Sequence, residues 1–106
     1  MSKTTLEKDF DKAMMDIYHR AKSEAKYTPS LFHKMLSEHG GIETAQRLIH
    51  LKIPSDGYTA LWERGRLDLT VEAVLCDNPQ WHSLFATETL EIAKNRLNEY
   101  GYQSSL

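Results

Sequence analysis

The amino-acid sequence predicts an all-α protein: one compact domain of about six short helices packed as an orthogonal bundle. Apolar residues recur at steps of three and four, which is the spacing of one helix face. Each such stretch opens at a residue that can cap a helix and closes at glycine or proline. No stretch alternates apolar and polar residues as a half-buried strand does.

The first predicted helix begins after Thr4. Residues 4–7 have the S/T-x-x-E form of a capping box, in which the Thr4 hydroxyl and the Glu7 carboxylate satisfy free backbone N–H groups reciprocally. The apolar residues that follow share one face of a long helix, so we expect that face to be buried. They are Leu6, Phe10, Ala13, Met14, Ile17, Ala21 and Ala25.

Two adjacent glycines separate the second and third predicted helices. Thr28 is expected to cap the second helix, with Pro29 at its first position. Gly40 and Gly41 are expected to end it, because glycine adopts the left-handed conformation without a Cβ clash. The third helix stops near Pro54, and its inward residues are Ile42, Ala45, Leu48 and Ile49.

Residues 55–75 predict two short helices that meet at a sharp turn. Ser55 or Asp56 caps the fourth helix, Gly65 ends it, and Thr70 caps the fifth. The large aromatic residues are expected to supply much of the burial energy; they are Phe32, Trp62, Trp81 and Phe85. On this basis we expect Trp62→Ala to cost roughly 3–5 kcal/mol of stability.

The last part of the chain predicts one short apolar segment and one helix. Pro79 breaks the fifth helix, and Trp81, Leu84 and Phe85 form an apolar cluster in a short turn or 3₁₀ segment. The final helix opens at residues 87–88 and ends at Gly101. The domain covers residues 1–106, with a core at about 5–101 and a frayed end at 102–106.

Composition narrows the class of protein. The 106 residues are 41% hydrophobic and 26% charged, as in an ordinary soluble domain, and no apolar run approaches the roughly 20 residues that cross a bilayer. A single cysteine, Cys76, excludes an internal disulfide and favours a reducing, cytoplasmic location. The start of the chain lacks the apolar region of a secretory signal, and no membrane partner is expected.

Four segments together resemble a group of small bacterial helical proteins and modules. They are residues 21–25, 55–57, 61–73 and 98–102, and the similarity extends over roughly residues 10–102. The segment 61–73 is its most specific part. The resemblance implies a bacterial or phage origin; it implies no activity, cofactor or functional residue.

Motifs of catalysis and metal binding are missing from the sequence. The five histidines lack the i, i+3 or i, i+4 spacing of a zinc site; they are His19, His33, His39, His50 and His82. There is no G-x-S-x-G, P-loop or G-x-G-x-x-G motif, and Cys76 is expected to be an inert core residue. We therefore expect no enzymatic activity, no cofactor and no metal.

The leading hypothesis is a non-enzymatic interaction module, an adaptor or regulator that binds another protein. Arg64 and Arg66 flank a glycine turn beside aromatic residues, and arginine, tryptophan and tyrosine are common interface anchors. The predicted contact residues are Arg64, Arg66, Asp68 and Tyr58. In the competing interpretation Trp62 is buried, Gly65 only permits the turn, and the arginines pair with Glu63, Asp68 or Glu72.

The alternative hypothesis is a nucleic-acid-binding accessory domain. The glycine-joined helices suggest a helix-turn-helix whose second helix would present residues to a groove: Glu43, Thr44, Gln46, Arg47 and His50. The cations predicted to contact nucleic acid are Arg47, Lys34, Arg20, Lys22 and Lys26. A net charge of -2 without a basic stripe opposes this hypothesis. A homodimer is compatible with either hypothesis.

Overall fold

The first helix begins at the predicted capping box. In the computed structural model, which describes residues 4–106, helix α1 spans Thr5–Glu24. The Thr4 hydroxyl accepts from the Glu7 N–H, and the Glu7 carboxylate accepts from the Thr4 N–H. The predicted inward face is buried at Phe10, Met14, Ile17, Ala21 and Ala25. Residues 1–3 lie outside the described residues. They are part of the predicted domain and of the segment predicted to lack a secretory signal.

Helix α2 spans Ser30–Ile49 and is broken at Gly40. Gly40 has φ 79° and ψ 172°, a backbone region essentially restricted to glycine. The second and third predicted helices therefore correspond to the two halves of α2, residues 30–39 and 41–49. The predicted cap at Thr28 is wrong: α2 starts one residue later, Pro29 takes the cap position, and no side chain caps it.

Two further helices follow the predicted signals. Helix α3 spans Asp56–Glu63, and the Ser55 hydroxyl accepts from the Tyr58 N–H at its start. Gly65 follows with φ 70° and lets the chain turn into a 3₁₀ segment at Leu67–Leu69. Helix α4 spans Val71–Asp77 and is capped by the Thr70 hydroxyl.

The C-terminal elements pack against α4. A 3₁₀ segment spans Pro79–Leu84, and helix α5 spans Thr87–Glu99. The tail predicted to be frayed is held in place. The Tyr102 hydroxyl and the Ser105 N–H both donate to the carboxylate of Asp77, at the end of α4.

Helix α4 occupies the centre of the fold. Its residues 71–76 are all buried, as expected of a helix surrounded on every side. It packs against α1, α2, α5 and both 3₁₀ segments. Six helical segments, counting the two halves of α2, and no strand among residues 4–106 confirm the all-α fold class. None of these helices combines the length and apolar composition needed to cross a bilayer.

The tryptophan predicted to anchor α3 lies at the surface. Trp62 is 46% exposed, and its ring packs edge-on against Tyr100 with 5.5 Å between ring centroids. Leu61 and Tyr58 take the inward positions of this two-turn helix instead. Consecutive residues are rotated by about 100° around a helix axis, so Trp62 cannot share the inward direction of Leu61.

Candidate binding cleft

A cleft of about 280 Å³ lies between α1, the 27–29 linker, the first half of α2, α3 and the start of α4. Its walls are largely apolar and include Ile17, Ala21, Phe32, Leu61 and Leu69. Phe32, predicted to be a major core residue, is only half-buried because it faces this cleft. Sequence analysis missed the cleft, since its walls come from segments up to 55 residues apart (17 to 72).

Leu31 marks the edge of the cleft. Its side chain lines the cleft and is 68% exposed. Single exposed apolar residues are common on protein surfaces, but one that borders an apolar recess extends a continuous apolar surface. Leu31 is thus the most accessible apolar group of the cleft.

Tyr58 forms part of the cleft wall and is buried from the outer surface. It is 3% exposed, and its hydroxyl donates to the carbonyl of Arg96 at 3.2 Å. Burial raises the pKa of the Tyr58 hydroxyl, so the group stays a neutral donor. A partner could reach Tyr58 only from inside the cleft, so contact between Tyr58 and a partner stays a prediction.

One member of a buried ion pair lines the cleft. Glu72 lines the cleft, and its Oε2 lies 3.1 Å from Nη1 of Arg96. Arg96 also donates to the carbonyls of Leu48 and Leu51, just before and after the end of α2. Burial raises the pKa of the Glu72 carboxyl, while Arg96 opposes that rise. This pair therefore joins α4, α5 and the end of α2.

Arg64 holds the linker that borders the cleft. Its Nε donates to the carbonyl of Ala25 at 3.1 Å, and its Nη1 donates to the carbonyl of Ala60 at 2.9 Å. The guanidinium carbon lies 5.1 Å from the ring centroid of Tyr27, which lines the cleft. Arg64 thus connects the end of α3 to the chain between α1 and α2.

Arg66 belongs to a network of exposed charges. Its Nη2 lies 2.7 Å from Oε1 of Glu24, and its Nε lies 3.0 Å from Oδ1 of Asp68. Hydrogen bonds from Arg20 and Arg66 lower the pKa of Glu24 to about 2. The predicted pairing with Asp68 is present, whereas the ion pairs found for the corner arginines involve neither Glu63 nor Glu72 among residues 4–106. Partner binding by Arg64, Arg66 and Asp68 stays a prediction.

The cations of the nucleic-acid hypothesis all have neighbours within the chain. Lys34 and Arg47 pair with carboxylates one turn away, and so does Arg20. Lys22 lies over the Tyr18 ring, and Lys26 donates to the carbonyl of Ser23. Thr44, predicted to face a groove, is fully buried and cannot do so. Nucleic-acid binding stays a prediction that no observation favours.

Cys76 is buried in α4, and burial raises the pKa of its thiol to about 11. A thiol of this kind is almost entirely protonated at neutral pH and is a poor nucleophile. Among residues 4–106, no three His, Cys, Asp or Glu side chains gather into a group that could hold a metal ion.

Comparisons with protein-family models, with curated proteins and with solved structures give no match to this chain. The cleft is therefore interpreted from its own geometry.

Proposed function

We propose that this protein is a non-enzymatic helical interaction module, an adaptor or regulator, that binds another protein by taking one of its apolar side chains into the cleft. The observation that carries the proposal is Leu31, an exposed leucine on the edge of an apolar recess. Covering such a surface removes apolar area from water, which is favourable at about 25 cal/mol per Å². The bacterial or phage setting and the cytoplasmic location belong to the same proposal.

The size of the cleft supports an apolar side chain as the occupant. An apolar cavity of about 150 Å³ in another protein holds benzene. A recess of about 280 Å³ therefore has room for one large aliphatic or aromatic side chain. Interfaces commonly concentrate their binding energy in a few such anchors seated in pockets.

The arginines predicted to contact the partner take a different role in this proposal. Arg64 positions Tyr27 at the border of the cleft, and Arg66 holds the end of α1 through Glu24. In this proposal Leu31 contacts the partner, Arg64 supports the border of the cleft through Tyr27, and Arg66 lies outside the cleft.

Site-specific photocross-linking tests the proposal. A benzophenone amino acid is placed at position 31 in one variant and at position 53 in another, each expressed in cells that naturally make the protein. Ile53 is a matched control because it is 75% exposed but does not line the cleft. We expect position 31 to cross-link one protein that position 53 does not, and mass spectrometry identifies it.

Three outcomes would contradict the proposal. The first is equal cross-linking from both positions, since binding would then not involve the cleft. The second is a cross-link only to a second copy of this chain, which would make the cleft a homodimer contact. The third is a cross-link only to nucleic acid, together with affinity that falls steeply as salt rises, which would favour the alternative hypothesis.

A further inference from the structure

The two halves of α2 are held in the fold to different degrees. Residues 27–39, called the flap below, supply one wall of the cleft through residues 27–32 and 35. Among these thirteen described residues, only Pro29 and Leu36 are buried. In the shorter segment 41–49, the buried residues are Gly41, Thr44, Ala45 and Ile49. Segments with few buried side chains open locally at lower free energy than the core does.

Both ends of the flap have backbone turns in the left-handed φ region. Lys26 has φ 56°, which is uncommon for a residue with a side chain, and Gly40 has φ 79°. The hinges of moving segments are a few residues at the ends of elements that absorb the change in backbone angles. Lys26 and Gly40 lie directly before and directly after the flap, where its hinges would have to be.

Leu36 in the core and Phe32 packed against the core hold the middle of the flap, and polar or aromatic side-chain contacts add to them at its two ends. Across the Gly40 turn, Nδ1 of His39 lies 2.9 Å from Oε2 of Glu43. Across the Lys26 turn, Arg64 binds the carbonyl of Ala25 and lies over the Tyr27 ring. The exposed contact between His39 and Glu43 contributes little stability, so it is readily broken and remade.

One further contact joins the middle of the flap to α1. The rings of Tyr18 and His33 have centroids 4.6 Å apart. His33 lies seven residues from each of the two turns, so the contact can be removed without substituting a hinge residue.

The chain is firmly seated immediately after the Gly40 turn. The N–H of Gly41 donates to Oδ1 of Asp11 at 2.7 Å, so α1 supplies the cap for the second half of α2. A Cβ at position 41 would lie 2.9 Å from the Phe10 ring, which shows how closely the two helices approach. The boundary between loosely and firmly held chain therefore falls at Gly40.

We propose that the flap opens as a unit about Lys26 and Gly40 and thereby regulates entry to the cleft. This inference rests on the proposed function of the cleft. In the closed state the flap supplies Leu31 and Phe32 to the walls. Opening enlarges the entrance, so that the apolar side chain of the partner can enter before the flap closes over it.

Native-state hydrogen exchange of the full chain, measured by NMR at increasing urea below the unfolding transition, tests the inference. We expect the flap amides of residues 33–39 to exchange at least about tenfold faster than those of residues 44–49, after correction for intrinsic rates. Flap exchange should depend weakly on urea, because local opening exposes little surface. Exchange of residues 44–49 should follow global unfolding.

Substitutions test whether the contacts of Arg64 and His33 control hydrogen exchange of the flap amides. Arg64→Gln should raise flap exchange about fivefold and leave residues 44–49 unchanged, because a charge-assisted hydrogen bond at the hinge is lost. Arg66→Gln is the matched control, since Arg66 pairs with Glu24 and Asp68, outside the flap. His33→Ala provides a second variant remote from both hinges, and it should also raise flap exchange selectively.

Equal exchange rates and equal urea dependence in the two halves of α2 would overturn the proposal that the flap opens as a unit. That result would leave the proposed function standing, because a rigid cleft also binds. Conversely, fast flap exchange without a specific cross-link from position 31 would contradict the proposed function alone. A uniform rise in exchange over all of α2 in both Arg64→Gln and His33→Ala would also overturn the inference.

Discussion

Two arginine–carboxylate systems in this protein differ mainly in their contact with water. At the corner, residues 62–68, Arg66 is linked to exposed carboxylates of Glu24 and Asp68. Beside α4, Arg96 and Glu72 form one buried pair that also fixes the end of α2. Exposed pairs gain little because water screens them, whereas a buried charge that loses its partner is strongly destabilising. We therefore expect the stability of the fold to depend on Arg96 more than on Arg66, although the sequence draws attention to the corner arginines.

The largest effect is expected from breaking the buried pair. Arg96→Met leaves the Glu72 carboxylate buried without a cation and should lower the free energy of unfolding by about 3–5 kcal/mol. Urea denaturation followed by circular dichroism measures the change. The double variant Arg96→Met, Glu72→Met should recover part of the loss, because no buried charge remains although the carbonyls of Leu48 and Leu51 still lose their donor. A loss below about 1 kcal/mol in the single variant would remove the distinction between the two regions.

The contact between α1 and α2 should be the next most sensitive. A Cβ at position 41 would lie 2.7 Å from Oδ1 of Asp11 and 2.9 Å from the Phe10 ring. Gly41→Ala should therefore cost about 1–3 kcal/mol through overpacking. Gly57→Ala is the matched helical control, because its nearest neighbour would be 3.7 Å away, and it should be neutral or slightly stabilising. Thermal unfolding of both variants tests this, and equal midpoints would contradict it.

A smaller effect is expected at the corner, from Trp62. Its indole is 46% exposed and packs against Tyr100, so Trp62→Ala should cost about 1 kcal/mol, well below the 3–5 kcal/mol that sequence analysis predicts for a core tryptophan. Urea denaturation distinguishes the two values. A loss above about 3 kcal/mol would mean that the corner is as important to stability as the interior.

The smallest effect on stability is expected from Arg66→Ala. The same substitution should produce a clear change in the pKa of Glu24. Hydrogen bonds from Arg20 and Arg66 hold the pKa of Glu24 at about 2, below the ordinary value of 4.5. The native state therefore binds this proton more weakly than the unfolded state does. The associated stabilisation is present above pH 4.5 and is lost as the pH falls toward 2.

Carboxyl carbon chemical shifts follow the Glu24 titration directly. We expect a midpoint near 2 in the wild type and a midpoint closer to 4.5 in Arg66→Ala. A midpoint unchanged by the substitution would show that Arg66 is not bound to Glu24 in solution.

Local sequence signals predict the helices of this protein well. Thr4, Ser55 and Thr70 each cap a helix, because capping depends on residues within one turn. Gly40 and Gly65 have positive φ where the helical path is interrupted or ends, for the same local reason. Together with the apolar spacing of three and four residues, these positions predict the all-α class and most helix boundaries.

The site could not be predicted from the same signals. The cleft brings together residues 17–21, 27–35 and 55–61, and no local pattern specifies that meeting. The prediction that Trp62 is buried is wrong because the sequence of a two-turn helix does not reveal which of two adjacent apolar residues faces inward. Glu72 resembles an ordinary solvated acid until α4 is seen to be surrounded, and its partner Arg96 is 24 residues away.

The affinity of the partner captured at position 31 for two charge variants tests the central claim most directly. Leu31→Glu and Ile53→Glu each place a carboxylate on an exposed apolar position, and only position 31 lines the cleft. Isothermal titration calorimetry should give a Kd at least about tenfold weaker for Leu31→Glu, a loss of about 1.4 kcal/mol, and a nearly unchanged Kd for Ile53→Glu. Equal Kd values for Leu31→Glu and the wild type would contradict binding through the cleft.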